Sequence, residues 1–205
     1  MTMGKTVPDS VSCETSQRIA TFKSLLQKWN TRINLVSDAD PDLVQKRHVE
    51  DSIQLLEHVP EGAKTWADLG SGAGFPGLIC ACCLPDRSPL NVTLVESDQR
   101  KAAFLREAIR ATGAPATVQN HRIENLTAQP YDIISARALA PLHNLLAYAE
   151  RLSHEDTVLL FLKGRRLESE LTEALTHWSM ESEKIPSRTD SEGTILKIHR
   201  FSRRT

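Results

Sequence analysis

The chain lacks several features that would place it quickly. No apolar run approaches the ~20 residues needed to cross a bilayer, so no membrane association is expected. The opening stretch MTMGKTVPDSVS has no apolar core of the kind a secretory signal requires; its Pro, Ser and Gly suggest a flexible tail over residues 1–14 and a cytoplasmic location. Cysteine is sparse and badly spaced for chemistry. Cys13 stands alone, and Cys80, Cys82 and Cys83 follow a C-x-C-C pattern that suits neither a disulfide framework nor a C-x-x-C zinc site. Small buried helix side chains, and no metal, are expected there. A surplus of cations is also missing: 25 Lys and Arg against 26 Asp and Glu leave a net charge of -1, so any contact with nucleic acid must rest on local patches. There is no internal repeat, no low-complexity segment and no conspicuous apolar patch, so a monomer is expected.

What is present is a clear rhythm. Ile19, Phe22, Leu26, Trp29 and Ile33 recur at spacings of three and four and predict a helix over about 16–32, with Trp29 on its core face. Asp40 as N-cap and Pro41 at the first turn predict a second helix that turns Val49, Ile53 and Leu56 inward and stops at Pro60. From Lys64 the pattern alternates between strand and helix. Strands are expected at 65–69, 91–96, 116–119, 131–135 and 157–162, with helices over 76–84 and 99–112, the latter closed by Gly113. Further helices carry Leu142, Leu145, Leu146, Ala149 and Leu152, then Leu167, Leu171, Leu175 and Trp178. A weak strand near 183–185 and a final one over 194–201 follow, with Arg203 and Arg204 in a frayed end. The expectation is a doubly wound, mostly parallel sheet over 61–205, with an N-terminal helical addition at 15–60 packed on it.

In such a sheet ligands sit beyond the carboxyl ends of the strands. The first such turn reads ADLGSGAGFPG, where Gly70, Gly72 and Gly74 permit close backbone approach to a ligand. Glu96, at the end of the second strand, is placed to accept hydrogen bonds from both hydroxyls of a ribose. Gly72, Gly74 and Gly77 also satisfy the G-x-G-x-x-G fingerprint of a nicotinamide dinucleotide. Asp68 weighs against that reading, because a carboxylate there faces a pyrophosphate unfavourably yet attracts the ammonium of a methionine moiety, directly or through water. S-adenosylmethionine is thus favoured. A methyltransferase for a small molecule or protein, an NAD-dependent dehydrogenase and a non-catalytic adenosine-binding module remain open at this point.

Longer motifs narrow the choice. WNTRINLVS from Trp29, RHVEDS from Arg47, DLGSGAGFPG from Asp68, TLVES from Thr93, FL at Phe104, RIE from Arg122, SARA from Ser135 and LKG from Leu162 together resemble the ribosomal RNA small-subunit methyltransferase G family, also called glucose-inhibited division protein B. Arg100 and Lys101 stand in the reverse of the family's usual order, with the charge kept. The resemblance implies a Rossmann-like class I methyltransferase that methylates N7 of one guanine in 16S ribosomal RNA near the decoding site, acting on that RNA or the small ribosomal subunit. It further implies S-adenosylmethionine against Gly70 and Phe75, Glu96 on the ribose, Ile123 and Glu124 at the adenine, and Arg137 at the mouth of the site.

The chemistry suits these residues. Guanine N7 carries an in-plane lone pair and no proton, so transfer needs no general base. Accordingly the loop after the fourth strand holds Ser135, Ala136 and Arg137 rather than a nucleophilic Cys, and no Asn-Pro-Pro-Tyr motif occurs. Catalysis would come from alignment and exclusion of water, with Arg137 positioning a base or a phosphate. Candidates for the RNA side are Arg47, His48, Asp51, Arg122, Lys163, Arg165 and Arg166. Of these, His48, Asp51 and Ser52 share one helical face.

Overall fold

The computed structural model describes residues 12–38, 40–85 and 88–204. Among them, strands β1 (Thr65–Leu69), β2 (Asn91–Val95), β3 (Ala116–Gln119), β4 (Tyr131–Arg137), β5 (Ser153–Lys163), β6 (Trp178–Pro186) and β7 (Thr194–Arg203) form one sheet in the order β3-β2-β1-β4-β5-β7-β6. The first five run parallel, and β7 then pairs antiparallel with both β5 and β6. Strand order reverses between β1 and β4, which opens a crevice at their carboxyl ends. Register places Asp68 of β1 beside Ser135 of β4.

Local chemistry explains the elements. Helix Gln99–Thr112 begins where the Asp98 side chain accepts from the Arg100 and Lys101 amides, and ends at Gly113, whose φ of 66° closes it in the left-handed region. Successive residues of the central strands feed opposite faces of the sheet. Trp66, Leu94, Ile133 and Leu160 pack with Phe22, Leu78 and Phe104. Ala67, Val95, Ile134 and Phe161 pack with Leu142, Leu146 and Trp178.

The first helix, Cys13–Asn30, belongs to the former cluster. Phe22 is fully buried, with its ring 5.5 Å from Phe75 and 6.1 Å from Phe104, and Trp29 lies 5.8 Å from Phe104. Cys80 and Cys82 are buried on the short helix Gly77–Cys82, where burial pushes the Cys82 thiol up to about 11.

Several expectations need correcting. The tail expected over 1–14 lies outside the described residues as far as 11, whereas Cys13 and Glu14 open the first helix. The second helix is not uniform: Pro41–Val44 is α, Gln45–Glu50 is π, Asp51–Ile53 is α and Gln54–His58 is 3-10. Its π turn carries the Arg47 carbonyl that accepts from Arg137, a use of the backbone that side-chain periodicity does not report. The last helix, Leu167–His177, ends before Trp178, which begins β6, and Leu175 is exposed. Nor are Arg203 and Arg204 frayed. Arg203 holds Glu150 at 3.0 and 2.9 Å and lies 4.8 Å over the Trp178 ring, while Arg204 donates to the Trp178 carbonyl.

Phe22 ties the first helix to the sheet, so Phe22→Ala should cost about 3–5 kcal/mol in a denaturant titration while keeping a single transition. A loss below ~1 kcal/mol would detach this helix from the core.

Candidate functional site

Two cavities open at the carboxyl end of the sheet, one over β1, β2 and β4 and the other over β4 and β5. The first, about 400 Å³, is walled by Gly70, Gly72, Glu96, Arg122, Ile123, Glu124 and Tyr148, and by the segment Arg137, Ala138, Leu139, Ala140. Gly70 and Gly72 adopt φ of 68° and 53°, a region disfavoured for side-chain-bearing residues. Glu96 knots the loop: its Oε2 accepts from the Gly72 amide at 2.9 Å and its Oε1 from the Asp98 amide at 2.7 Å. Each oxygen retains a lone pair for a further donor. A Cβ built on Gly72 meets nothing nearer than the Gly70 carbonyl at 3.7 Å, so that backbone faces open space. Tyr148, absent from the sequence-based candidates, donates its hydroxyl to Glu124 at 3.1 Å, and only its place on a helix facing β4 reveals it.

A nucleoside cofactor such as S-adenosylmethionine fits this wall, because Gly72 leaves room where a Cβ would stand and Glu96 offers acceptors beside it, while the Cβ space at Gly70 is taken by Leu139. Ile123 and Glu124 sit together on a short 3-10 turn in the same wall, and Arg122 precedes them here rather than in the second cavity.

Three sequence candidates stand off that wall. Gly74, at φ 93°, packs on Leu78 and Phe22. Phe75 is 7% exposed, between Phe22 and the His48 ring, whose centroid is 4.9 Å away. Asp68 is fully buried beneath the loop, with Oδ1 accepting from Ser135 Oγ at 2.6 Å and Oδ2 lacking any hydrogen-bond donor. Burial pushes its carboxyl up to about 6, with the Ser135 bond pulling the other way. A Cβ on Gly77 would come within 2.5 Å of Asp68, which accounts for that glycine by packing rather than by ligand approach.

The second cavity, about 660 Å³, lies on the other side of the Arg137–Ala140 segment and is lined by Asp51, Lys163, Arg165, Arg166, Asp190 and Gly193 among others. Arg137 is its centre. Nη2 donates to the Arg47 carbonyl at 2.8 Å, Nη1 sits 3.5 Å from Asp51 Oδ2, and that same Nη1 is buried without a hydrogen-bond acceptor. Lys163 does not reach into solvent: Nζ donates to Glu170 at 2.7 Å and to the Ala140 carbonyl at 3.0 Å, and Glu170 also accepts from the Leu142 amide at 2.9 Å. This half-buried pair anchors the loop after β4, in which Ala138 holds φ 49° and Leu139 rests on Gly70. Arg165 pairs with Glu192, while Arg47 and Arg166 are exposed.

His48 is half-buried on Phe75. Burial first, then Arg137 and Arg47, lower it from 6.5 to about 4, so it is neutral at physiological pH. Ser52, expected on the same face, donates to the His48 carbonyl and is fully buried.

Comparison with known proteins gives the family and the fold. Residues 15–195 match the family model described as rRNA small subunit methyltransferase G. The ribosomal RNA small subunit methyltransferase G of Gluconobacter oxydans is 53% identical over 95% of this chain and 98% of its own length. That of Parvibaculum lavamentivorans is 49% identical over 92% of this chain and 84% of its own. Among solved structures, the fold resembles an O-methyltransferase from Bacillus cereus in complex with SAH, with a TM-score of 0.60 at 19% identity over 88% of this chain and 91% of that one. A ribosomal protein L11 methylase from Lactobacillus delbrueckii gives 0.59 at 17% identity, over 78% of this chain and 79% of that one.

A branched side chain at Gly72 should fill the first cavity and strain φ, so Gly72→Val should abolish the thermal stabilisation given by S-adenosylhomocysteine. Unchanged stabilisation would remove this loop from the site. For His48 a folded-state value below the unfolded one means stability that is present above pH 6.5 and fades as pH falls toward about 4. In His48→Gln that part of the acid sensitivity should vanish, and the wild-type ring should titrate by NMR near 4; a midpoint near 6.5 would contradict its burial.

Proposed function

The chain belongs to the rRNA small subunit methyltransferase G family, and from that membership and two cavities that share lining residues we propose that it transfers a methyl group from S-adenosylmethionine to N7 of one guanine in 16S ribosomal RNA. The observation that carries the reading is the shared wall. The segment Arg137–Ala140 lines both cavities, so a cofactor in one and a base in the other would meet across it.

When bound, the cofactor supplies an electrophilic methyl group on a sulfonium. Gly70, Gly72, Glu96, Ile123 and Glu124 would hold it, with Tyr148 fixing Glu124. Asp68, with one unsatisfied carboxylate oxygen beneath the glycine loop, contributes negative potential that favours a cationic sulfonium and ammonium nearby. Because N7 carries no proton, the residues at the junction need only orient and desolvate. Arg137 is suited to that: Asp51 and the Arg47 carbonyl fix its plane, and its side chain, 22% exposed and lining both cavities, can present the charged guanidinium to an acceptor such as guanine O6 or a phosphate oxygen. N7 itself must stay free. The exposed cations Arg47 and Arg166 are then left for RNA phosphates, a local patch on a chain of net charge -1. The substrate is 16S RNA, free or within the small subunit, and Lys163 acts through the loop it anchors rather than on RNA.

The test is transfer of labelled methyl from S-adenosylmethionine to small-subunit RNA taken from cells lacking this enzyme, with the product mapped by chemical cleavage at N7-methylguanine. One guanine should be labelled. Failure to label RNA would sink the reading. Arg137→Ala should lower kcat/KM by about a hundredfold while leaving affinity for S-adenosylhomocysteine within about twofold. The opposite pattern would move Arg137 to the cofactor side.

A further inference from the structure

We infer that Ser187 and Thr189, in the loop between β6 and β7, are positioning residues for methyl transfer, acting through Asp51 to set the direction of the Arg137 guanidinium. The inference rests on Arg137 serving the RNA side of the site.

The geometry is specific. One oxygen of Asp51, Oδ1, takes three donors: Ser187 Oγ at 2.8 Å, Thr189 Oγ1 at 3.1 Å and Gln54 Nε2 at 3.3 Å. That concentration fixes the carboxylate plane and leaves Oδ2 alone facing Arg137 Nη1 at 3.5 Å, an ion-pair distance but not a hydrogen bond. An unrestrained carboxylate beside a guanidinium rotates into the fork-to-fork arrangement, in which both oxygens take parallel N–H bonds. Here the two hydroxyls hold Asp51 out of it. Arg137 therefore keeps its charge balanced and its guanidinium plane fixed where its side chain, 22% exposed, lines both cavities.

The loop is rigid enough for the task. Ser187 Oγ accepts from the Thr189 and Asp190 amides at 3.1 and 3.3 Å, which directs its own proton to Asp51. The Ser187 amide donates to the Gly193 carbonyl at 2.9 Å, and the Arg188 amide to Gln54 Oε1 at 2.9 Å. Arg188 also pairs with Glu57. The loop is thus tied to the helical arm that carries Asp51, and Asp190 and Gly193 present it to the second cavity.

Ser187→Ala/Thr189→Val removes both hydroxyls, and Thr189→Ser, in an otherwise native sequence, keeps both. With small-subunit RNA from cells lacking the enzyme, the double variant should lose about tenfold in kcat/KM, the scale of hydrogen bonds to a charged group. Its affinity for S-adenosylhomocysteine and its melting temperature should stay near wild type, and Thr189→Ser should remain within about twofold of wild type. In an Arg137→Ala background the same double variant should cost less than about twofold more. Wild-type kcat/KM in the double variant would overturn the inference, as would losses that multiply with Arg137→Ala. A fall in melting temperature shared by Thr189→Ser would reduce the hydroxyls to a structural staple. If the wild-type chain itself labels no RNA, the failure belongs to the proposed function instead.

Discussion

A buried hydrogen-bonded relay at the centre of the sheet sets the geometry of everything above it. Trp66 Nε1 donates to Ser135 Oγ at 2.8 Å, and Ser135 in turn donates to Asp68 at 2.6 Å, with all three side chains buried. The relay crosslinks β1 to β4, the two strands that flank the reversal in strand order. It therefore fixes the distance between the glycine loop leaving β1 and Arg137 leaving β4. A carboxylate kept out of water costs stability unless it is paired, and half of this one is not. The raised pKa of Asp68 records that cost, and Gly77 records the space it needs.

Arg137 gathers what the fold distributes. The π turn of the helical arm gives it a carbonyl, Asp51 from the same arm gives it a counter-charge, and the Lys163–Glu170 pair holds the loop that follows it. Such a residue could not sit on a loop alone and keep its direction. The helical arm is accordingly part of the site as well as a cover for one face of the sheet.

How much could be read beforehand follows the range of the forces involved. Strand β1, strand β3 and helix Gln99–Thr112 lie where alternation, periodicity and Gly113 put them, because such signals are local. The glycine loop and Glu96 were legible for the same reason: two short motifs at the ends of adjacent strands. Strand β6 was readable only in part, since its exposed, polar residues carry no alternation and its pairing with β7 defines it. Phe75 looked like a ligand contact because its motif is distinctive, yet Phe22 from the first helix claims its ring. The Asp51–Ser187 contact spans 136 positions, and no spacing rule joins residues that far apart. Lys163 read as a free cation since its partner Glu170 lies on the following helix and turns back to meet it.

The wall formed by Arg137, Ala138, Leu139 and Ala140 faces both cavities, with Leu139 lying across Gly70. Any displacement that one occupant imposes on this segment alters the surface offered to the other. Thermodynamic linkage then requires the influence to be reciprocal: whatever factor the bound nucleoside applies to the affinity for RNA, RNA applies to the affinity for the nucleoside. On the proposed occupancy, any coupling between nucleoside and RNA would pass through these four consecutive residues.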